Sequence, residues 1–362
     1  MQSPILTLCA VLVVSAAQAS PSASVVDLGP TSLFSTQAPE NFFPGGSGVL
    51  NGHGHVAGVA YDPVLGPVAA IDVFGTVTAL GSTAILESYG TAINDAESVV
   101  GYFSSAVDAT HAGLFRRGRP TVDLGSLGGP ISAAFAINNN GVIVGYSYLA
   151  DGSTAHAASF SALKGPVDLG ALGGSLSAAL AVNRFNRAVG FSLLSDNATF
   201  HATLFSSYAP AFDLGSLGGP LSVATAINGR GEIVGASLLS DGVTTHAAAF
   251  TPGGAPTDLG ALAGDTTSLA SGINSAGCIV GTSSSLVQRG VLWTKSRGVW
   301  TILDLNSLIT ATGGWTIDSA IAINREAIVV ATGFKSDGIE HTVLINLGNS
   351  LESRCIASDD DD

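Results

Sequence analysis

Apolar and polar positions alternate along this chain with a period of two, in short bursts interrupted by glycine, asparagine and aspartate. In the burst from Ser132 to Ile137, Ser132, Ala134 and Ala136 fall on one side and Ala133, Phe135 and Ile137 on the other. The same division returns as Ser177, Ala179 and Ala181 against Ala178, Leu180 and Val182. A strand with one small and one larger apolar face belongs in a sheet covered on both sides. A second burst follows at Val142 to Gly145, a third at His156 to Phe160 and a fourth at Val167 to Leu169. Asn138 to Gly141 suits a hairpin between the first two, because Asn and Gly tolerate positive φ, and Asp151-Gly152 marks the next turn.

This four-strand pattern repeats. Asp123 opens DLGSLGGPISAAFAINNNGVIVG, Asp168 opens DLGALGGSLSAALAVNRFNRAVG, and Asp213 opens DLGSLGGPLSVATAINGRGEIVG; the phrase then decays through Asp258 to Asp304. The spacing is about 45 residues, the length of a propeller blade with four antiparallel strands. The asparagine after the first strand recurs at Asn51, Asn94, Asn138, Asn183, Asn228, Asn274 and Asn324. Fourth strands recur at Asp27, at a degenerate Ala79-Leu80-Gly81, and at Asp123, Asp168, Asp213, Asp258 and Asp304. Both series number seven, and the chain starts on a fourth strand and finishes on a third at His341 to Ile345. The expected fold is therefore all-β: a seven-bladed β-propeller over 20–347. Its ring closes where the N-terminal strand joins the C-terminal blade, which removes open sheet edges.

The D-L-G-x-L-G-G, A-I-N-x-x-G-x-I-V-G and D-G-x-x-x-H-A-x-x-F segments resemble the HAF family of extracellular repeats, named for a His-Ala-Phe segment. Here that segment reads His111-Ala-Gly, His156-Ala-Ala, His201-Ala-Thr and His246-Ala-Ala, so the Phe at its third place is replaced. The resemblance covers most of residues 25 to 347. It implies export and a propeller-like fold, and it brings no established activity, so no catalytic residue is carried over.

Composition narrows the function. Residues 1–19 carry no charged side chain, run apolar from Ile5 to Val14 and end in Ala17-Gln18-Ala19, which reads as a secretory signal peptide. The apolar run is too short for a membrane span, so a secreted or periplasmic protein is expected, most simply a monomer. Residues 348–362 read as an acidic disordered tail closing on Asp359 to Asp362. A net charge of −14 with clustered cations scarce argues against nucleic acid and anionic membranes. Past the signal only Cys278 and Cys355 remain, too few for a disulfide framework or a zinc site. Cys278 sits at an apolar strand position and Cys355 in the tail; a single bridge between them requires the tail to fold back onto the sixth blade, and free thiols are expected.

Candidate chemistry is sparse. His156, His201 and His246, with His111 and His341, recur at one place in the repeat, as do Asp123, Asp168 and Asp213. Residues copied with the unit are most economically structural, each histidine bonding a neighbouring turn and each aspartate capping its own. Asn138, Asn183 and Asn228 belong to the same structural set. Calcium has the right donors at the Asp-Gly loops but too few carboxylates per loop, so plain turns are preferred and no cofactor is expected. Departures from the repeat are more informative. Long fourth-to-first connections carry Glu40, Phe42 and Phe43, and Trp315, with Asp337 and His341 beside them. These six are either a ligand surface or a plug at the seam. Arg116, Arg117, Arg119, Arg184 and Arg187 share the opposite rim, where they read as solvated charges. The expected function is an exported binding or scaffold protein for an extracellular glycan or protein. The rival is an extracellular hydrolase or lyase acting on glycans or peptides, which requires a non-repeated cluster of carboxylates, His or Tyr at the axis.

Overall fold

A computed structural model describes residues 23–31, 34–35, 47–62, 66–81, 87–106, 109–309, 313–347 and 355–356. The elements are strands, antiparallel within each sheet with single parallel bridges between successive ones such as Ile131 to Thr110, and two single 3-10 turns, Ser47–Val49 and Leu305–Ser307. Among the described residues no helix is long and apolar enough to cross a membrane.

One unit shows how the pattern folds. Gly128–Ile137, Ile143–Leu149, Ala155–Phe160 and Val167–Gly170 pair in that order, each antiparallel to the next. The first strand is longer than its alternation suggests, because the Gly128-Gly129 pair joins it through a register shift. A second shift lies between Ala134 and Ala136, and there the backbone of the second strand comes so close that only glycine fits. A Cβ on Gly145 would lie 1.9 Å from the Ala133 carbonyl oxygen. The glycine after Val in the second strand is therefore a steric requirement of this crossing at Gly101, Gly145, Gly190, Gly235 and Gly281, whereas the last unit carries Ala331 there.

Equivalent four-strand sets run from Ser88–Ile93 to Val122–Asp123, from Gly173–Val182 to Ala209–Asp213, from Gly218–Ile227 to Thr257–Asp258, and from Thr267–Ile273 to Val299–Asp304. In the first set the innermost strand is reduced to Phe34–Ser35, paired with Val56–Asp62. The last set is completed from the other end of the chain. Ser24–Pro30 pairs with Glu340–Asn346, setting Ser24 opposite Asn346 and Pro30 opposite His341.

Between successive sets the facing side chains form separate apolar clusters. Phe160 is fully buried with Ala134, Ile143 and Leu114, so that two neighbouring units share one core. Leu28, Val330 and Leu344 of the last unit pack with Val49, Val56 and Ala70 of the first. Burying a phenylalanine at such a contact contributes roughly 1.5 to 3 kcal/mol. Serine makes a second tie on the small face: Ser132 Oγ accepts the Ala112 N–H of the preceding unit at 2.9 Å, and Ser177 does the same for Ala157 at 2.8 Å. The small residues read from the sequence are small because a neighbouring third strand lies against them.

The 3-10 turn Ser47–Val49 sits among the first strands. It packs against Ser88–Ile93, Gly128–Ile137, Thr267–Ile273 and Thr316–Ile323. A Cβ on Gly48 would meet the Ala92 Cβ at 2.8 Å.

Candidate functional site

The seven recurrent asparagines meet at one end of the strands. Their role is not positive φ, since that conformation falls three residues later, at Gly141, Gly231 and Gly277 and also at Glu97, Asn186 and Ala327. Each asparagine instead uses its side chain twice. The amide oxygen accepts from its own hairpin, as Asn138 Oδ1 does from the Val142 N–H at 2.9 Å. The Nδ2 donates to the backbone carbonyl of the asparagine in the next unit. Asn51 reaches Asn94 at 3.3 Å, Asn94 reaches Asn138 at 3.2 Å, and Asn138 reaches Asn183 at 2.9 Å. Asn183, Asn228 and Asn274 continue to Asn228, Asn274 and Asn324 at 3.2, 3.0 and 3.1 Å. Asn324 then donates to Asn51 at 3.1 Å, so the seven bonds form a closed belt. All seven asparagines are buried.

The belt encloses a cup of about 420 Å³. Its floor is Gly48 and the aliphatic residue before each asparagine, including Ile93, Ile137 and Ile227. Its rim is the residue after each asparagine, and that position differs from unit to unit: Gly52, Asp95, Asn139, Arg184, Gly229, Ser275 and Arg325. Asp95 is already engaged, accepting the Gly52 N–H at 2.7 Å and the Asn139 amide at 2.8 Å. The Arg184 guanidinium lies 4.9 Å from the ring of exposed Phe185, and among the described residues it has no ion-pair partner. Arg325 lies on the far side of the cup, with Nε 3.6 Å from Glu326. The cup thus offers an apolar floor, a wall of satisfied amides and two guanidinium groups, an arrangement able to hold a polar or anionic group.

At the same end the first unit departs from its copies. Asp72 occupies the place held elsewhere by Phe115, Phe160, Phe205, Phe250 and Trp293. Its carboxyl is buried, which pushes its pKa up, while the Gly75 N–H and nearby His55 act the other way. His55 lies 3.0 Å from Glu97 and edge-on to Phe74.

The opposite end carries the recurrent His and Asp. They pair with each other inside a unit, third strand to fourth, rather than with a neighbouring turn as the copying argument expects. His111 Nδ1 lies 2.8 Å from Asp123, and His156, His201 and His246 lie 2.9 Å from Asp168, Asp213 and Asp258. The aspartates also cap their own turns: Asp123, Asp168 and Asp213 each accept the N–H of the glycine two residues on at 2.7 Å. Asp151 and Asp196 serve the second-to-third-strand turns. Thr154 and Thr199 hydroxyls and backbone N–H groups hold both carboxyls down at about 2.

Of the six candidate ligand residues, Glu40, Phe42 and Phe43 lie outside the described residues. Trp315 and His341 are brought together with ring centroids 5.5 Å apart, Lys335 Nζ stands 4.3 Å from the Trp315 ring, and His341 Nδ1 lies 2.7 Å from Asp27. Burial raises the Asp27 pKa, but hydrogen bonds from His341, Lys335 and Gly29 prevail and hold it at about 2. These groups tie Ser24–Pro30 to the last unit and satisfy one another. Asp337 accepts the Ile339 N–H in the adjoining turn. Arg116 bonds Ser98 at the other end of the strands.

The cysteine expectation is overturned. Cys278 and Cys355 form a disulfide with Cα atoms 5.6 Å apart. Cys355 is fully buried and its carbonyl accepts the Asn274 Nδ2 at 2.7 Å, so the tail is fixed at this residue rather than free from 348 onward. The second half-cystine was hidden in the sequence because the polar residues around it give no periodicity to dock. Among the described residues no three His, Cys, Asp or Glu side chains gather as a metal site. No protein-family model matches the chain, and no curated protein matches it.

Proposed function

We propose that the chain is an exported seven-bladed β-propeller of the HAF-repeat kind that binds a ligand in the cup inside the asparagine belt. The carrying observation is the contrast within the cup: floor and wall repeat in every unit, whereas the seven rim positions carry Gly, Asp, Asn, Arg and Ser, with no two neighbouring units alike. A surface that is uniform where it bears load and varied where it meets solvent is suited to recognition. The belt that returns from Asn324 to Asn51, the cluster joining last and first units, and the pairing of Ser24–Pro30 with Glu340–Asn346 support the ring. Export rests on the apolar, uncharged residues 1–19.

Wild-type protein and the Arg184→Ala variant, applied to a glycan array and a peptide array, test the reading. Ligands retained by the wild type and lost by the variant, with superimposable melting curves, are the expected result. Retention indifferent to Arg184 and Arg325 would move the site elsewhere. Turnover in a broad hydrolase screen, abolished by a carboxylate substitution, would replace binding with catalysis.

A further inference from the structure

The disulfide fixes the chain beside the asparagine belt four residues before an acidic run, Asp359 to Asp362. Asn274 is a member of the belt and lines the cup, and its Nδ2 donates both to Asn324 and to the Cys355 carbonyl. Cys355 is therefore held against a residue of the cup wall, and the Asp359 to Asp362 run begins three residues after Ile356. Residues 357–362 reach about 20 Å when extended, ample for a segment already anchored at the wall.

Charge favours that route. The charged residues lining the cup are Asp95, Arg184 and Arg325, and Asp95 is occupied by Gly52 and Asn139. Around it Arg230, Arg187 and Arg325 are balanced by Glu232, Glu97 and Glu326, while the third-to-fourth connections add Arg116, Arg117, Arg119, Lys164, Lys295 and Arg297 and no carboxylate, so that this end carries the excess of cations. The opposite end holds the His–Asp pairs and the Asp151, Asp196 and Asp241 turns, which repel a run of aspartates.

We propose that the cup takes acidic peptide segments and that Asp359–Asp362 is its resident occupant, placed against Arg184 and Arg325 by the Cys278–Cys355 bond. This rests on the cup being the binding site. A tethered segment acts at an effective concentration near the millimolar range, so an external acidic ligand must displace it, and salt weakens both.

The test uses a fluorescein-labelled Ser-Asp-Asp-Asp-Asp peptide at low salt with the full chain. Its protein partners are wild type, D359N/D360N/D361N/D362N, and that variant carrying in addition either R184A/R325A or K295A/R297A. The tail-neutralised protein should bind the peptide at least about tenfold more tightly than wild type, R184A/R325A should abolish binding, and K295A/R297A should leave it in place. Equal binding by wild type and the tail-neutralised protein would overturn the resident tail while leaving the acidic cup standing. Loss with K295A/R297A in place of R184A/R325A would overturn the cup as the tail's site. Binding by none of the proteins would overturn the acidic specificity, and the array experiment then judges the cup alone. Melting curves of each variant separate these outcomes from misfolding.

Discussion

The two ends of the strands are held by opposite strategies. At one end the repeated side chain reaches out of its unit, each asparagine bonding the next unit's backbone. At the other the repeated side chains turn inward, each histidine bonding an aspartate of its own sheet. The first arrangement is buried and binds units into a whole; the second is half exposed and trims a single sheet. Repetition alone therefore does not tell what a residue does, because both sets are copied equally faithfully and only one of them holds neighbours together.

Substitutions at the two ends should diverge. The largest effect is expected from Cys355→Ser, which opens the cross-link across a sequence separation of 77 at the asparagine end. A loss of about 2 to 4 kcal/mol in a denaturant titration is expected. Asn183→Ala comes next, because it orphans the N–H groups of Phe185 and Arg187 and leaves the Asn228 carbonyl with the Gly231 N–H alone. It should cost about 1 to 3 kcal/mol and lower unfolding cooperativity between units, read by comparing calorimetric with fluorescence transitions.

Acidity separates the ends in sign. Asp27 is held at about 2, below the ordinary carboxylate value near 4. A depressed folded-state value contributes stability above the ordinary one, and that contribution disappears as pH falls from about 4 toward 2. Asp27→Asn should thus cost about 1 to 2 kcal/mol at neutral pH, allowing for solvent screening, and nothing near pH 2. Asp72 is raised by burial, so its ionisation opposes folding as pH climbs above the ordinary value. Asp72→Asn should raise the melting temperature at neutral pH and leave it unchanged in acid. The smallest effects belong to His156→Ala, His201→Ala and His246→Ala, each within about 1 kcal/mol of wild type and of one another. A much larger loss at any one of them would show that its pair spans units after all.

The strands, their turns and the asparagine register were legible in the sequence because each depends on neighbours a few residues away. His156 to Phe160 falls within Ala155–Phe160, and Val142 to Gly145 overlaps Ile143–Leu149 from its second residue on. The cup was not legible, because its wall is made of bonds between residues one unit apart, such as Asn138 and Asn183. No local pattern distinguishes an asparagine that caps its hairpin from one that also reaches the next sheet. His156 and Asp168 were both singled out, yet as separate features; their pairing follows from the third and fourth strands lying side by side. Asp72 passed unnoticed because the first unit is too degenerate to show that an aromatic position had been vacated.

The belt also has a direction. Six of the seven amides give to the unit that follows in the chain, and Asn324 gives back to the first. Donor and acceptor therefore travel together in a single residue, and a stretch of gene copied in tandem carries both halves of the joint. An extra copy thus brings both a donor for the unit after it and an acceptor for the unit before it. A head-to-tail joint of this kind closes at whatever number of members the turn between them allows. The near-identical phrases opening at Asp123, Asp168 and Asp213 are the trace such growth leaves.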